Sequence, residues 1–176
     1  FGWSGRFKGW GTPTWVSPDG KKARGVGVGA AGHSDTGGKP SNANVTLTGL
    51  GAVYLSTCMA EFGAGTRDVM LKIVAEELDM PLECIRVSDA DTGMTPPDFG
   101  STGSRSTYCG GIVAKRACED VKRKLYRLAH EKFGVPEDDL GFKGGKVYRL
   151  SNPGETYLLF PHLMGKVDSV TGCGRF

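Results

Sequence analysis

Apolar residues fall at helical spacing in two stretches of the chain and alternate with polar residues in several shorter ones. Met70, Ile73, Val74 and Leu78 share one face at the helical period, which predicts a helix from Thr66, placed as its N-cap, to about Leu78. Pro81 closes that unit. Val113, Ala117, Val121, Leu125 and Leu128 form a second stripe, in a helix predicted from about Ser106 to Lys132 and ended by Gly134-Val135-Pro136. Asn44 to Leu47 and Ala52 to Leu55 read as a hairpin around Gly49-Leu50-Gly51, and Cys84 to Val87 as a further strand. Arg24 to Ala31 alternates glycine with β-branched or small residues and reads as a strand closely approached by other backbone. Phe142 and Lys146 to Arg149 suggest a small hairpin turning at Gly144-Gly145, and Tyr157 to Phe160 a short helix. The sum is an α+β fold, a two-layer domain with a mixed β-sheet and two main helices on one face.

Three segments are expected: an irregular arm over 1–22, the α+β domain over 23–150, and the start of a following segment over 151–176. The arm carries Trp3, Trp10 and Trp15, expected to pack on a neighbouring surface. Phe1-Gly2-Trp3 at one end and Cys173-Gly174-Arg175-Phe176 at the other read as cuts in a longer protein.

Composition narrows the function classes. The 28 glycines among 176 residues exceed twice the usual share of about 7%, so backbone turns sharply or approaches something closely at many points. A net charge of +3 is too small to argue for nucleic acid or a membrane surface, and no apolar run approaches the roughly 18 residues of a membrane span. An RNA-binding sheet is disfavoured too, since no aromatic-rich strand or basic stripe is present. Cys58, Cys84, Cys109, Cys118 and Cys173 are odd in number and contain no C-x-x-C, which points away from a disulfide framework and towards a reducing, cytoplasmic location. His33, His130 and His162 lack the spacing of metal ligands and read as surface histidines.

Two glycine patterns compete for attention. Gly27-Val28-Gly29-Ala30-Ala31-Gly32 matches the dinucleotide pattern, but Ser34-Asp35-Thr36-Gly37-Gly38-Lys39-Pro40 behind it cannot be the required helix. The stronger signal is a pair of loops, Glu61-Phe62-Gly63-Ala64-Gly65-Thr66 and Gly100-Ser101-Thr102-Gly103-Ser104-Arg105-Ser106-Thr107, each opening a helix. Free N–H groups and the positive dipole end at such places attract anions, so two of them side by side would cradle a phosphate-bearing ligand. Two ordinary N-caps, Thr66 with Ser104 or Ser106, explain the same residues equally well.

From Met59 to Lys124 the chain resembles the molybdopterin-binding subunit of the xanthine dehydrogenase and aldehyde oxidase family, which includes hydroxybenzoyl-thioester reductases. The likeness rests on the E-x-G-x-G-T loop, the helix ending Ala75-Glu76-Glu77-Leu78, Asp91-Thr92, the Thr/Pro-rich loop, Gly103 to Thr107, Gly110-Gly111 and the long helix. Phe1-Gly2-Trp3 and the Arg24-Gly25-Val26-Gly27 strand fit upstream. The resemblance implies that Phe62, Gly63, Ala64 and Gly65 line the pterin from one side and Gly103, Ser104, Arg105, Ser106 and Thr107 from the other. Ala64 departs from the family's usual glutamine, which removes one side-chain amide and leaves backbone N–H groups.

The implied function is part of a molybdenum-cofactor-dependent oxidoreductase acting on a heterocycle, aldehyde or aromatic thioester. Iron–sulfur centres and FAD are expected in partner subunits or domains, beside the remainder of the molybdopterin subunit. The family's catalytic glutamate lies in a later motif, no candidate follows Thr156, Glu61 reads as structural, and no cysteine set fits an iron–sulfur cluster. The isolated chain is therefore expected to be inactive and not to retain the cofactor. Two other classes fit the same residues: an anion-binding module, and a non-catalytic scaffold that has lost cofactor binding.

Overall fold

The computed structural model describes residue 5 and residues 7–34, 38–154, 156–164 and 169–176. Phe1, Gly2, Trp3 and the loop residues Asp35 to Gly37 lie outside these. The chain divides into two compact units, Phe1–Ser34 and Asp35–Phe176.

The first unit holds a minimal hairpin. Strands β1 (Trp15–Val16) and β2 (Ala23–Arg24) pair antiparallel, and the Arg24 guanidinium lies 5.6 Å from the centre of the Trp15 ring. The arm is thus not wholly irregular, and the strand expected over Arg24 to Ala31 stops at Arg24. A Cβ placed on Gly25, Gly27, Gly29 or Gly32 meets nothing within 4 Å, so no backbone approaches there and no ladder stabilises the glycines as a strand. Trp10 is 78% exposed rather than packed away.

The second unit is built on a four-stranded mixed sheet. Its strands are β3 (Asn42–Thr48), β4 (Val53–Thr57), β5 (Ile85–Val87) and β9 (Ser169–Arg175), in the spatial order β5-β4-β3-β9. β3 pairs antiparallel with β4 and β9, and β4 pairs parallel with β5. Alternation decides the faces: Ala43, Val45, Leu47, Val53 and Leu55 are fully buried, while Asn42, Asn44, Thr46 and Tyr54 point away.

Two helices cover the buried face, α1 (Thr66–Leu78) and α2 (Arg105–Phe133). Met70, Val74 and Leu78 of α1 and Val113, Ala117, Val121 and Leu125 of α2 join the strands in one core. The expected stripes are those buried, with Ile73 and Leu128 packed at the margin. A Cβ on Gly110 would lie 3.1 Å from Met70 Cε, and one on Gly111 would lie 3.0 Å from Ile73 Cδ1. These glycines let α1 and α2 approach, and farther along Lys115 Nζ meets Glu77 at 2.8 Å. The contacts advance along both helices together, so α1 and α2 run the same way and begin at the same end.

β9 lies under α2 at close range. A Cβ on Gly174 would sit 1.8 Å from the Val113 carbonyl oxygen, and one on Gly172 would sit 2.2 Å from that of Ala117. Only glycine fits there. The outer side of β9 is met by a stripe of α2: Arg116 donates to the Arg175 carbonyl, Asp120 Oδ2 accepts from Cys173 N–H at 2.9 Å, and Lys124 Nζ donates to the Thr171 carbonyl at 2.7 Å. Burial pushes the Asp120 carboxyl up, but Lys124, the Cys173 N–H and Arg123 outweigh it and bring the group down to about 2.

A second sheet joins β6 (Leu140–Lys143), β7 (Lys146–Arg149) and β8 (Thr156–Leu159). Gly144 and Gly145 turn the first hairpin with φ of 55° and 74°, the pair of positive values that a two-residue type I′ turn needs. The short helix expected near Tyr157 is displaced: Thr156–Leu159 pairs with β7, and the helix α3 follows at Phe160–Met164. β9 pairs with β3 along its whole length, so Ser169–Arg175 forms part of the four-stranded sheet.

Candidate functional site

The two glycine loops leave the sheet at the carboxyl ends of the parallel neighbours β4 and β5 and enter α1 and α2 at their common end. They are joined directly. Ser101 Oγ donates to the Ala60 carbonyl at 3.2 Å and approaches Met59 Sδ at 3.3 Å. Arg67, in the first turn of α1, pairs with Asp89 beyond β5 at 2.5 Å. Thr95 Oγ1 donates to the Asp91 carbonyl at 2.6 Å and lies 2.7 Å from Cys58 Sγ. The structure therefore brings Phe62, Gly63, Ala64 and Gly65 and Gly103, Ser104, Arg105, Ser106 and Thr107 to one end of the helix layer.

The first loop is organised around its own acid. Glu61 Oε1 accepts from the N–H of Gly63 at 2.6 Å and of Gly65 at 3.1 Å, and Oε2 accepts from that of Arg67 at 3.1 Å. Gly63 and Gly65 have φ of 97° and 75°, and these left-handed turns are what point successive N–H groups at one carboxylate. The Arg67 N–H foremost, then those of Gly63, Gly65 and Ala64, hold the Glu61 carboxyl below its usual range. Thr66 is the first residue of α1, preceded by Gly65 in the capping position without a side-chain cap, so the cap expected from Thr66 is supplied by Glu61 instead. Phe62 stands 68% exposed beside it.

The second loop is organised from below. Gly103 and Ser104 take left-handed φ of 52° and 58° in succession. A serine held there stores about 1 to 3 kcal/mol of strain, which the surroundings must over-determine. Arg105 does so. Its side chain is fully buried and reaches Asp98 Oδ1 at 3.0 Å, the Gly100 carbonyl at 3.0 Å, those of Lys39 and Pro40 at 2.6 and 3.1 Å, and Ser41 Oγ at 2.8 Å. The Arg105 guanidinium thus points into the protein, and only its backbone remains on the loop surface. Ser104 stands at the capping position of α2 with no side-chain cap bond, and α2 has no acidic residue in its first turn. Among the described residues the hydroxyls of Ser104, Ser106 and Thr107 have no hydrogen-bond partner.

Which donors stay open decides how an anionic pterin fits. The second loop fits through its hydroxyls: Ser104 and Thr107 are exposed and Ser106 half-buried, with no acid in the first turn of α2, while the Arg105 N–H is already taken by the Thr102 carbonyl at 3.1 Å. The first loop fits only as a wall, because Glu61 already takes the N–H groups of Gly63, Gly65 and Arg67. Sequence reasoning missed Asp98, Ser101 and the Arg67–Asp89 pair. Asp98 carried a legible signal, since an aspartate two residues before Gly100 is placed to accept its N–H, as it does at 2.6 Å.

Among the described residues no three His, Cys, Asp or Glu side chains are gathered to hold a metal ion, and no helix is long and apolar enough to cross a membrane. Cys118 is buried, which raises its thiol to about 12 and makes it a core residue rather than a nucleophile.

Comparison with known proteins shows the family and the fold. The family model of the molybdopterin cofactor-binding domain matches residues 8–168. The gamma subunit of the 6-hydroxypseudooxynicotine dehydrogenase complex of Paenarthrobacter nicotinovorans is 35% identical over 127 residues, covering 72% of this chain and 16% of that protein. The large chain of carbon monoxide dehydrogenase from Hydrogenophaga pseudoflava is 33% identical over 81 residues, 46% of this chain and 10% of that one. The crystal structure of Cu,Mo-CO dehydrogenase in its carbon monoxide-reduced state shares the fold with a TM-score of 0.69 at 21% identity, covering 77% of this chain and 18% of that chain. Quinoline 2-oxidoreductase from Pseudomonas putida 86 gives 0.66 at 19% identity, with 78% and 19% covered. The chain thus spans less than a fifth of the length of each of these proteins. With nearly its whole length matched, it belongs to the molybdopterin cofactor-binding domain family of the xanthine dehydrogenase and carbon monoxide dehydrogenase large subunits.

Proposed function

We propose that this chain supplies one wall of the cofactor site in a molybdenum-cofactor-dependent oxidoreductase that hydroxylates or dehydrogenates a heterocycle, aldehyde or aromatic thioester. The observation that carries the reading is the start of α2, which has neither a side-chain cap nor an acid in its first turn, within a chain of this family. Gly103, Ser104, Ser106 and Thr107 would hold the anionic part of the pterin through hydroxyls and N–H groups, and Phe62 to Gly65 would flank it. Arg105 holds the loop in place from beneath and does not touch the ligand with its side chain.

When bound, the cofactor supplies the two-electron redox chemistry, while the protein binds and orients it. The acids that support the loops are engaged: Glu61 caps α1, Asp98 is paired with Arg105 and Asp89 with Arg67, while Asp68 stands exposed in the first turn of α1. The chain by itself is proposed to be inactive. Its partners are the rest of a molybdopterin subunit, with iron–sulfur and FAD-bearing subunits or domains to remove electrons, in the cytoplasm.

The test is the molybdenum content, by inductively coupled plasma mass spectrometry, of the full-length parent protein assembled with its partners. Stoichiometric metal that falls in a Ser106→Ala, Thr107→Ala double variant supports the reading. A well-folded assembly without molybdenum overturns it in favour of a scaffold.

A further inference from the structure

We propose that Glu61 is a positioning residue that fills the anion seat of the first loop from within and so keeps external anions out of it. Both loops are glycine-rich and both open helices, yet their electrostatics differ at the first shell of donors. At the start of α1 the Glu61 carboxylate accepts from three backbone N–H groups across residues 63 to 67. Any external anion seated there would have to displace an attached carboxylate, whose effective concentration is set by the short tether. It would also meet Asp68, in the first turn of α1, and Asp89, which already holds the Arg67 guanidinium at 2.5 Å.

The geometry shows a seat built for an internal ligand. Gly63 and Gly65 are both left-handed, which turns alternate N–H groups inward towards position 61 rather than outward. Ala64 between them has no polar side-chain atom to offer a ligand from the exposed side. The loop is therefore shaped in advance by its own residue, and what it presents outward is Phe62 and Ala64. At the start of α2 no carboxylate among the described residues takes the same place: no acid stands in the first turn, the Asp98 side chain is fully buried against Arg105, and the Arg105 N–H bonds the Thr102 carbonyl. Only the final step, from anions in general to the cofactor's anionic group, rests on the function proposed above.

The experiment is an inorganic phosphate titration of the 176-residue chain, labelled with nitrogen-15, at neutral pH. The amide resonances of Gly63, Gly65 and Arg67 in the native chain are compared with those of Glu61→Ala and Glu61→Gln. Phosphate is expected to leave these three amides nearly unmoved in the native chain and to shift them severalfold more in Glu61→Ala. Glu61→Gln keeps one carbonyl acceptor and the loop's shape, and is expected to fall between the two. Equal responses in all three proteins, or no gain in either variant, overturn the proposal.

A second arm carries it to the cofactor. In the assembled full-length protein, Glu61→Ala is expected to lose molybdenum relative to the native form while Glu61→Gln retains more of it. A native protein without molybdenum removes the cofactor reading alone, and the phosphate titration still decides whether Glu61 holds the seat. Full retention in Glu61→Ala overturns the final step.

Discussion

The starts of α1 and α2 look alike in sequence and are opposites in physics. Both follow a glycine loop, both have a left-handed residue in the capping position, and in neither does that residue's own side chain make the cap bond. The α1 end is neutralised from above, by Glu61 on exposed N–H groups. The α2 end is braced from below, by a buried Arg105 that ties residues 39, 40, 41, 98 and 100 together and places no carboxylate on the first turn. A helix N-terminus becomes a ligand site by where its support comes from as much as by its dipole. Support from the ligand's own side closes the site, and support from the core keeps it open.

Four changes test that contrast. Arg105→Met should have the largest effect, a loss of about 3 to 5 kcal/mol in urea unfolding, because Asp98 is left charged, buried and unpaired. Recovery of most of that loss in an Arg105→Met, Asp98→Leu double variant would show that the lone charge is the cause. Glu61→Ala should destabilise less, since the cap is exposed. Its mark is local, a loss of hydrogen-exchange protection in the first turn of α1 with the core unaffected.

Acid gives a reversible version of the same experiment. The folded-state pKa of Glu61 is depressed, so its contribution is complete above the ordinary 4.5 and is lost as pH falls through the lower folded value. Fraying of residues 65–67 should accordingly precede global unfolding, which exchange measured at descending pH would reveal. Ser106→Ala and Thr107→Ala should change stability least, within about 0.5 kcal/mol, because these hydroxyls have no hydrogen-bond partner among the described residues. Thermal melts equal to native, alongside reduced cofactor content, would separate binding from folding at α2.

Periodicity made the core legible. The stripes of α1 and α2, the hairpin of β3 and β4 and the Gly144-Gly145 turn all followed from spacing, because burial on one face leaves a direct imprint on residue order. The Arg24 to Ala31 strand failed for want of a partner, which no local pattern reveals. Thr66 looked like a cap because hydroxyls usually are, yet a carboxylate five residues earlier reached the same N–H groups through two left-handed glycines. Arg105 was placed in the pterin-lining loop, and the direction of its side chain depended on carbonyls from residues 39 and 40, remote in sequence. Side-chain direction was the hidden variable in both loops.

The closed flank of β9 carries a consequence for how the molecule comes into being. β3 reaches its final neighbour only when residues 169–175 arrive, long after residues 42–48 have been made. Until then β3 exposes a ladder side to any other strand, and the slow, non-local pairing exposes nascent chains to mispairing. Once β9 is in place, Arg116, Asp120 and Lys124 cover its outer groups, and that flank of the sheet no longer offers a template to a neighbouring molecule. Chains shortened before Ser169 should therefore aggregate, while the 176-residue chain stays dispersed.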